Sequence, residues 1–160
     1  MPGYSRAMIV RMNDKDYIQL AMEEAAAAER VGEVPIGAVV VGADGQVMAR
    51  SGNRTIRDCD PTAHAEMVVL REASKAAGNY RLSDLTLYAT LEPCAMCAGA
   101  MIQARMARLV YGADDPRGGA VRSCFAVLEH PALNHHVEVT AGVLAEQCAT
   151  LMKAFFTVRR

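Results

Sequence analysis

Apolar residues recur along the chain with two different spacings, which separate its helices from its strands. Between Asp16 and Val31 they form one stripe at helical spacing, which predicts a first helix. The run Ile36–Val41 is continuously apolar and rich in valine, and the sequence Gly-Ala-Asp-Gly follows at 42–45. This pattern predicts a strand, a hairpin turn and a return strand from Gln46 to Gly52.

Further along the chain, strands and helices are predicted to alternate. The segment 60–62 (Asp-Pro-Thr) is typical of a helix start, and Gly78 is typical of a helix end. The pattern of Thr86–Leu91 predicts a buried strand, and Pro93 then opens a helix that runs to about Ala104. The remaining predicted elements are the strands Arg108–Tyr111 and Val137–Thr140 and a final amphipathic helix, Leu144–Phe156.

A hairpin followed by strands that alternate with helices predicts an α/β fold, a three-layer α/β/α sandwich around a mixed five-stranded sheet. The helix after Thr86–Leu91 leads directly into Arg108–Tyr111, so these two strands should be parallel. We find no linker, internal repeat or low-complexity tract. The sequence therefore predicts a single domain over residues 1–160.

Composition narrows the class of protein. Apolar residues make up 52% and charged residues 22% of the 160 residues, which is ordinary for a globular protein. No segment approaches the roughly 20 apolar residues of a membrane span, and Met1 to Asn13 lacks the pattern of a secretory signal. Five cysteines without repeated spacing argue against a disulfide framework. We therefore expect a cytoplasmic protein with no membrane association.

Two short motifs carry the candidate chemistry. His64 is followed two residues later by Glu66, and Pro93 precedes Cys94 and Cys97. His64, Cys94 and Cys97 make a set of three zinc ligands, which leaves the fourth tetrahedral position open, as in catalytic zinc sites. Both cysteines fall in the predicted first turn of a helix, where free N–H groups and the helix dipole stabilise thiolates.

Glu66 has a different predicted role. Glu66 lies two residues after His64, which places it about 200° further around a helix. The two side chains should therefore not bind the metal together. From the first turn the carboxylate can still reach a zinc-activated water and move its proton. The motifs thus predict a hydrolytic deaminase, in which water replaces an amino group on a heterocycle and ammonia leaves.

Other interpretations of the same residues exist. A Cys-x-x-Cys pair also occurs in structural zinc sites and in redox pairs. A structural site needs a fourth ligand, which has no obvious candidate here, and a redox pair leaves His64 and Glu66 unexplained. His130, His135 and His136 could suggest a second metal, but their spacing fits no standard site.

Long stretches around the two motifs resemble a known family. The His-x-Glu and Pro-Cys-x-x-Cys motifs are similar to those of the zinc-dependent nucleoside and nucleobase deaminases, which have the cytidine deaminase-like fold. Residues 34–39 (Val-Pro-Ile-Gly-Ala-Val), 60–66 (Asp-Pro-Thr-Ala-His-Ala-Glu) and 90–102 resemble, more narrowly, the bacterial tRNA-specific adenosine deaminases. The resemblance runs from Val34 to Arg160.

This resemblance implies a homodimer with one Zn²⁺ per subunit. Its substrate would be the anticodon stem-loop of a tRNA, in which the wobble adenosine (A34) becomes inosine. By position, Asn53 would contact the target nucleoside, and the base pocket would be lined by Val34, Pro35, Leu91 and the Ala65 backbone. Contacts with RNA are implied for Asp115, Arg117, Phe155 and Arg159. The chain departs from the family in having Arg117 where lysine is usual and Arg122 where glycine is common.

Two competing functions stay open at this point. A deaminase of free bases or nucleosides, of the guanine or cytosine type, would keep every zinc and proton-transfer residue. A non-catalytic zinc module or RNA-binding scaffold would have no need of Glu66. Further basic residues that could join an RNA-binding face are Arg54, Arg57, Arg122, Lys153 and Arg160.

Overall fold

The computed structural model describes residues 11–159, which form a five-stranded mixed sheet with helices on both faces. Over these residues the elements are α1 (Asp14–Arg30), β1 (Gly37–Val41), β2 (Val47–Gly52), α2 (Ala65–Ala77), β3 (Thr86–Leu91), α3 (Ala95–Gln103), β4 (Arg108–Ala113), a 3-10 helix (Val127–Glu129), β5 (Glu138–Thr140) and α4 (Ala145–Val158). Most of residues 1–13, on which the expectation of no secretory signal rests, lie outside the described residues, as does Arg160. Among residues 11–159, no helix combines the length and apolar content needed to cross a membrane.

The strand order is β2-β1-β3-β4-β5, and the sheet is mixed as predicted. β1 is antiparallel to both β2 and β3, whereas β3, β4 and β5 are parallel. The predicted parallel pairing of β3 with β4 is therefore confirmed. In this topology the start of β1 and the ends of β2, β3 and β4 all lie at one edge of the sheet, as the pairings of Gly37 with Gly52 and of Leu91 with Ala113 show.

Apolar cores on both faces of the sheet explain the continuous apolar run of β1. Ala38 and Val40 belong to the core under α2 and α3, and Val39 and Val41 belong to the core under α1 and α4. Because both faces are covered, the strand shows no alternation of polar residues. The predicted three-layer sandwich is confirmed.

The start of α2 differs from its prediction. Residues 60–64 form a turn, because the Asp60 carboxylate accepts hydrogen bonds from both the backbone N–H and the hydroxyl of Thr62. The helix begins only at Ala65, with His64 as its N-cap residue. Its end is as predicted: Gly78 adopts φ 65°, a left-handed conformation that glycine takes at little steric cost.

Candidate active site

The starts of two helices bring the three predicted ligands together. His64 is the N-cap residue of α2, Cys94 is the N-cap residue of α3, and Cys97 lies one turn further into α3. The His64 Nδ1 atom lies 3.5 Å from Cys94 Sγ and 3.6 Å from Cys97 Sγ, and the two sulfur atoms are 3.6 Å apart. Zinc bonds of about 2.0–2.3 Å in a tetrahedron separate the ligand atoms by roughly 3.5–3.8 Å. The cluster therefore has the dimensions and donor atoms of a zinc site.

The electrostatics of the thiols favour a bound cation. Contacts of its sulfur with Cys97 and His64 lower the pKa of the Cys94 thiol to about 3, although burial opposes this. The neighbouring Cys94 sulfur, burial and nearby negative charge raise the pKa of the Cys97 thiol. Beside the Cys94 thiolate, the pKa of His64 is also raised. A metal ion would let both sulfurs be thiolates, because its charge removes their mutual repulsion.

Glu66 lies beside this cluster without belonging to it. Its side chain is only 3% exposed, and its Oε2 atom accepts a hydrogen bond from Cys97 Sγ at 3.2 Å. Burial raises the pKa of the Glu66 carboxyl group. A carboxyl group with a raised pKa accepts a proton more readily than a solvated one, which suits a group that takes up and returns a proton in acid–base catalysis.

The three histidines beyond residue 129 lie apart from this site. Among the described residues, His64, Cys94 and Cys97 are the group of potential ligands close enough to share a metal ion, and none of the later histidines joins such a group. The His135 Nε2 atom instead lies 2.6 Å from the Met106 carbonyl oxygen. The second-metal interpretation gains no support from this arrangement.

Asn53 is positioned by the helix that carries His64. Its Oδ1 atom accepts a 2.8 Å hydrogen bond from the backbone N–H of Ala65, and its own backbone N–H donates to the Ile36 carbonyl. Because a backbone N–H needs an acceptor, these contacts fix which way the amide group is turned. Within residues 11–159 the Asn53 side-chain NH₂ group makes no hydrogen bond. It therefore remains able to donate one to a ligand.

Three of the predicted pocket residues lie at strand ends on the same edge of the sheet, and Ala65 begins α2. Val34 and Pro35 precede β1, and Leu91 ends β3. Pro35 and Ala65 are buried, whereas Val34 and Leu91 are half-buried. The Gly37 N–H donates to the Thr90 hydroxyl at 3.1 Å, which holds the start of β1 against the end of β3. The topology thus explains how residues distant in sequence approach one another.

The predicted RNA contacts lie in two separate places. Asp115 and Arg117 follow β4, where the Asp115 carboxylate accepts hydrogen bonds from the backbone N–H groups of Arg117 and Gly118. Phe155 lies on α4 and Arg159 directly follows this helix, and the Arg159 guanidinium stacks 3.6 Å from the centre of the Phe155 ring. Phe155 is only 5% exposed, so Arg159 supplies most of the surface of this pair.

Some basic residues of the predicted RNA-binding face have acidic partners. Arg122 forms an ion pair with Asp114 at 3.0 Å, and Arg54 pairs with Asp58 at 2.9 Å. Such neighbours partly neutralise the charge that RNA phosphates would meet. These ion pairs could not be predicted from the number of basic residues, because they depend on which acidic side chain lies next to each arginine in the fold.

Two buried glutamates outside the predicted site were not singled out from the sequence. Glu33 is 1% exposed and Glu92 is 2% exposed. Glu33 accepts a 2.7 Å hydrogen bond from the Arg57 backbone N–H, and Glu92 is held by the loop that follows β4. The available signal was an acidic residue directly beside apolar strand residues and close to a proline, which is an unusual place for a solvated carboxylate.

Comparison with known proteins agrees with the fold and the site, which together define a deaminase of the cytidine deaminase-like class. The profile of the MafB19-like deaminase family matches residues 12–160. A tRNA-specific adenosine deaminase of Haemophilus influenzae is 46% identical over 92% of this chain and 85% of its own length. The chain therefore belongs to the MafB19-like deaminase family, in the group of the tRNA-specific adenosine deaminases.

Solved structures show the same relationship. One, from a study of A-to-I editing by tRNA:A34 deaminases at the wobble position of transfer RNA, has a TM-score of 0.81 and 49% identity, covering 84% of this chain and 97% of that chain. A guanine deaminase of Bacillus subtilis is more distant, with a TM-score of 0.64 and 31% identity over 91% of this chain and 95% of its own.

Proposed function

We propose that this protein removes the amino group of the wobble adenosine (A34) in a tRNA anticodon loop by hydrolysis, which yields inosine and ammonia. The observation that carries the chemistry is the buried Glu66 carboxylate beside the cluster of one histidine and two cysteines. The substrate is supported by the 46% identity with a tRNA-specific adenosine deaminase, against 31% identity with a guanine deaminase.

His64, Cys94 and Cys97 would hold one Zn²⁺ per subunit. A bound zinc ion would supply the Lewis acidity that makes water a nucleophile near neutral pH. Glu66 would take the proton that this water gives up, pass it to the ring nitrogen of adenine, and later supply a proton to the departing amine. Its burial favours both roles, since a carboxyl group with a raised pKa holds a proton more readily than a solvated one.

Asn53 would orient the base. Its free NH₂ group can donate to an acceptor atom of the nucleoside, while Val34, Pro35, Ala65 and Leu91 would exclude water around the ring. An adenine amine inside a paired helix is out of reach, so an unpaired loop or a flipped base is the form that such a pocket can take.

The RNA itself would be held further out, by Asp115, Arg117, Phe155 and Arg159. Arg117 and Arg159 are exposed and can approach phosphates, and the buried Phe155 ring would support the Arg159 guanidinium by stacking against it. We also propose that the protein acts in the cytoplasm as a homodimer. An exposed, largely apolar groove between α2 and α3 supports the dimer, and its lining includes Met67, Leu70 and Tyr80.

The test is the conversion of a tRNA anticodon stem-loop that carries adenosine at the wobble position. Purified protein with its measured zinc content is incubated with the stem-loop, and the digested RNA is analysed by mass spectrometry for inosine. The same stem-loop with guanosine at that position serves as control. We expect inosine from the first RNA alone. A zinc-loaded protein that leaves the adenosine unchanged would refute the proposed substrate.

A second candidate is the deamination of a free base such as guanine. The similarity to the Bacillus subtilis guanine deaminase favours it, and the zinc and proton-transfer residues would serve either substrate equally well. The two candidates differ only in what surrounds the pocket, so they must be separated with substrates rather than with variants of the metal ligands.

A further inference from the structure

Glu92 is a buried carboxylate that is held by backbone instead of by a cation. It accepts hydrogen bonds from the backbone N–H groups of Arg122 (2.9 Å), Ser123 (3.0 Å), Asp115 (3.1 Å) and Val121 (3.1 Å), and from the Ser123 hydroxyl. No basic side chain among the described residues donates to it. Buried charges are normally paired, so the N–H groups of the loop Asp115–Ser123 take the place of a counter-ion here.

The loop is shaped closely around this carboxylate. Gly119 lies directly against the Glu92 carboxyl group, and a Cβ atom at this position would overlap it. A 2.8 Å hydrogen bond from the Ala120 N–H to the Pro93 carbonyl adds a further contact between the loop and the same turn. The middle of the loop therefore cannot move away without breaking several hydrogen bonds at once.

The position of Glu92 connects the RNA-facing loop with the metal site. Glu92 directly follows β3 and lies two residues before the ligand Cys94, and the loop that it holds carries Asp115 and Arg117. A side chain presented by a fixed loop binds with less loss of conformational freedom than one on a mobile loop. If the loop binds RNA, holding it in place would strengthen that binding without altering the metal ligands or Glu66.

We propose that Glu92 is a positioning residue that fixes the loop Asp115–Ser123 in the conformation that binds the tRNA. The inference rests on the proposed function, because it assigns the loop to RNA. The proposal predicts that loss of the carboxylate weakens binding of the stem-loop and leaves the catalytic step largely intact. A residue with a merely structural role would change stability without this division between KM and kcat.

Two variants disturb the contact from opposite sides. Glu92→Gln keeps the size of the side chain but replaces one acceptor oxygen with an NH₂ group that faces N–H donors. Gly119→Ala pushes the loop off an unchanged carboxylate and leaves the sequence of the segment that carries Glu92, Cys94 and Cys97 unaltered. Gly118→Ala is the matched control, since a Cβ atom there meets only the end of the Asp115 side chain, at 3.4 Å.

The experiment uses zinc-loaded protein and combines amide hydrogen exchange with steady-state kinetics on the adenosine stem-loop. We expect the amides of residues 121–123 to exchange faster in Glu92→Gln and Gly119→Ala, and at the wild-type rate in Gly118→Ala. In the first two variants KM should rise about tenfold, with kcat within about twofold of wild type and zinc content unchanged.

Several outcomes would overturn the inference. Unchanged exchange in Gly119→Ala and Glu92→Gln would show that the carboxylate does not hold the loop. Faster exchange with an unchanged KM, or a fall in kcat alone, would show that the held loop does not grip RNA. If Glu92→Gln loses zinc or fails to fold, Gly119→Ala decides alone. A wild-type protein that does not convert the stem-loop refutes the proposed function instead, and the RNA-gripping role falls with it.

Discussion

The metal cluster and the outer surface of the molecule are built in different ways. At the cluster, the backbone at the starts of α2 and α3 sets the positions of His64 and Cys94, and Glu66 is almost fully buried. On the outer surface, Arg117 and Arg159 are exposed side chains on a loop and near a helix end. Under the proposed function, the reaction would depend on groups fixed by backbone at two helix starts, whereas RNA binding would depend on exposed side chains that are less constrained.

The first prediction concerns the cluster and has the largest effect. Glu66→Ala should lower kcat by about 10²–10⁴-fold, because the proton-transfer group is lost, while the zinc content stays at the wild-type level. Glu72→Ala, which changes an exposed glutamate on the same helix, is the control and should retain full activity. A Glu66→Ala protein that converts the stem-loop at the wild-type rate would contradict the role assigned to this carboxylate.

The second prediction separates ligands from other thiols. Cys97→Ala should lose nearly all bound zinc, because two ligands hold the ion far more weakly than three. Cys124→Ala removes an exposed thiol and should keep its metal. Elemental analysis of the purified proteins measures both. Full zinc content in Cys97→Ala would mean that the metal is held elsewhere.

The third prediction concerns the outer surface. Arg159→Ala and Arg117→Ala should each raise KM for the stem-loop roughly tenfold with little change in kcat, and each should reduce the salt dependence of binding by about one phosphate contact. Lys15→Ala removes an exposed charge on α1 and provides the control. If kcat falls and KM is unchanged, these residues act in catalysis and the division between the two regions is wrong.

The fourth prediction has the smallest effect and lies away from both regions. The Arg108 guanidinium donates two hydrogen bonds to Asp14, and with Tyr88 it holds the pKa of that carboxyl group below its usual range. Asp14→Asn should therefore lower the free energy of unfolding at pH 7 by about 1 kcal/mol without changing kcat.

The sign of this effect follows from the lowered pKa of Asp14. The stabilisation is present above the pKa of the unfolded state, near pH 4, and disappears as the pH falls through the lower pKa of the folded state. Urea unfolding at several pH values should show that the difference between wild type and Asp14→Asn shrinks as the pH falls below about 4. A difference that grows as the pH falls would contradict this assignment.

Sequence alone predicts what local patterns determine. The strand Thr86–Leu91 has the predicted bounds, and the mixed sheet and the ligand cluster are as expected. The predicted start of α2 was wrong, because Asp60 can cap a turn as well as a helix and the sequence does not distinguish the two. The role of Glu92 was missed because most of its partners are backbone N–H groups more than 20 residues away. Every residue except proline has such a group, so the sequence does not show which ones bind Glu92.

The central claim is that this deaminase acts on RNA and not on free bases. The most direct test compares kcat/KM for the adenosine-bearing anticodon stem-loop with kcat/KM for free adenine, guanine, cytosine and their nucleosides, using one zinc-loaded preparation and Glu66→Ala as control. We predict that the stem-loop is converted to the inosine form and that the free compounds are left unchanged. Turnover of a free base or nucleoside, with the RNA unchanged, would contradict the claim.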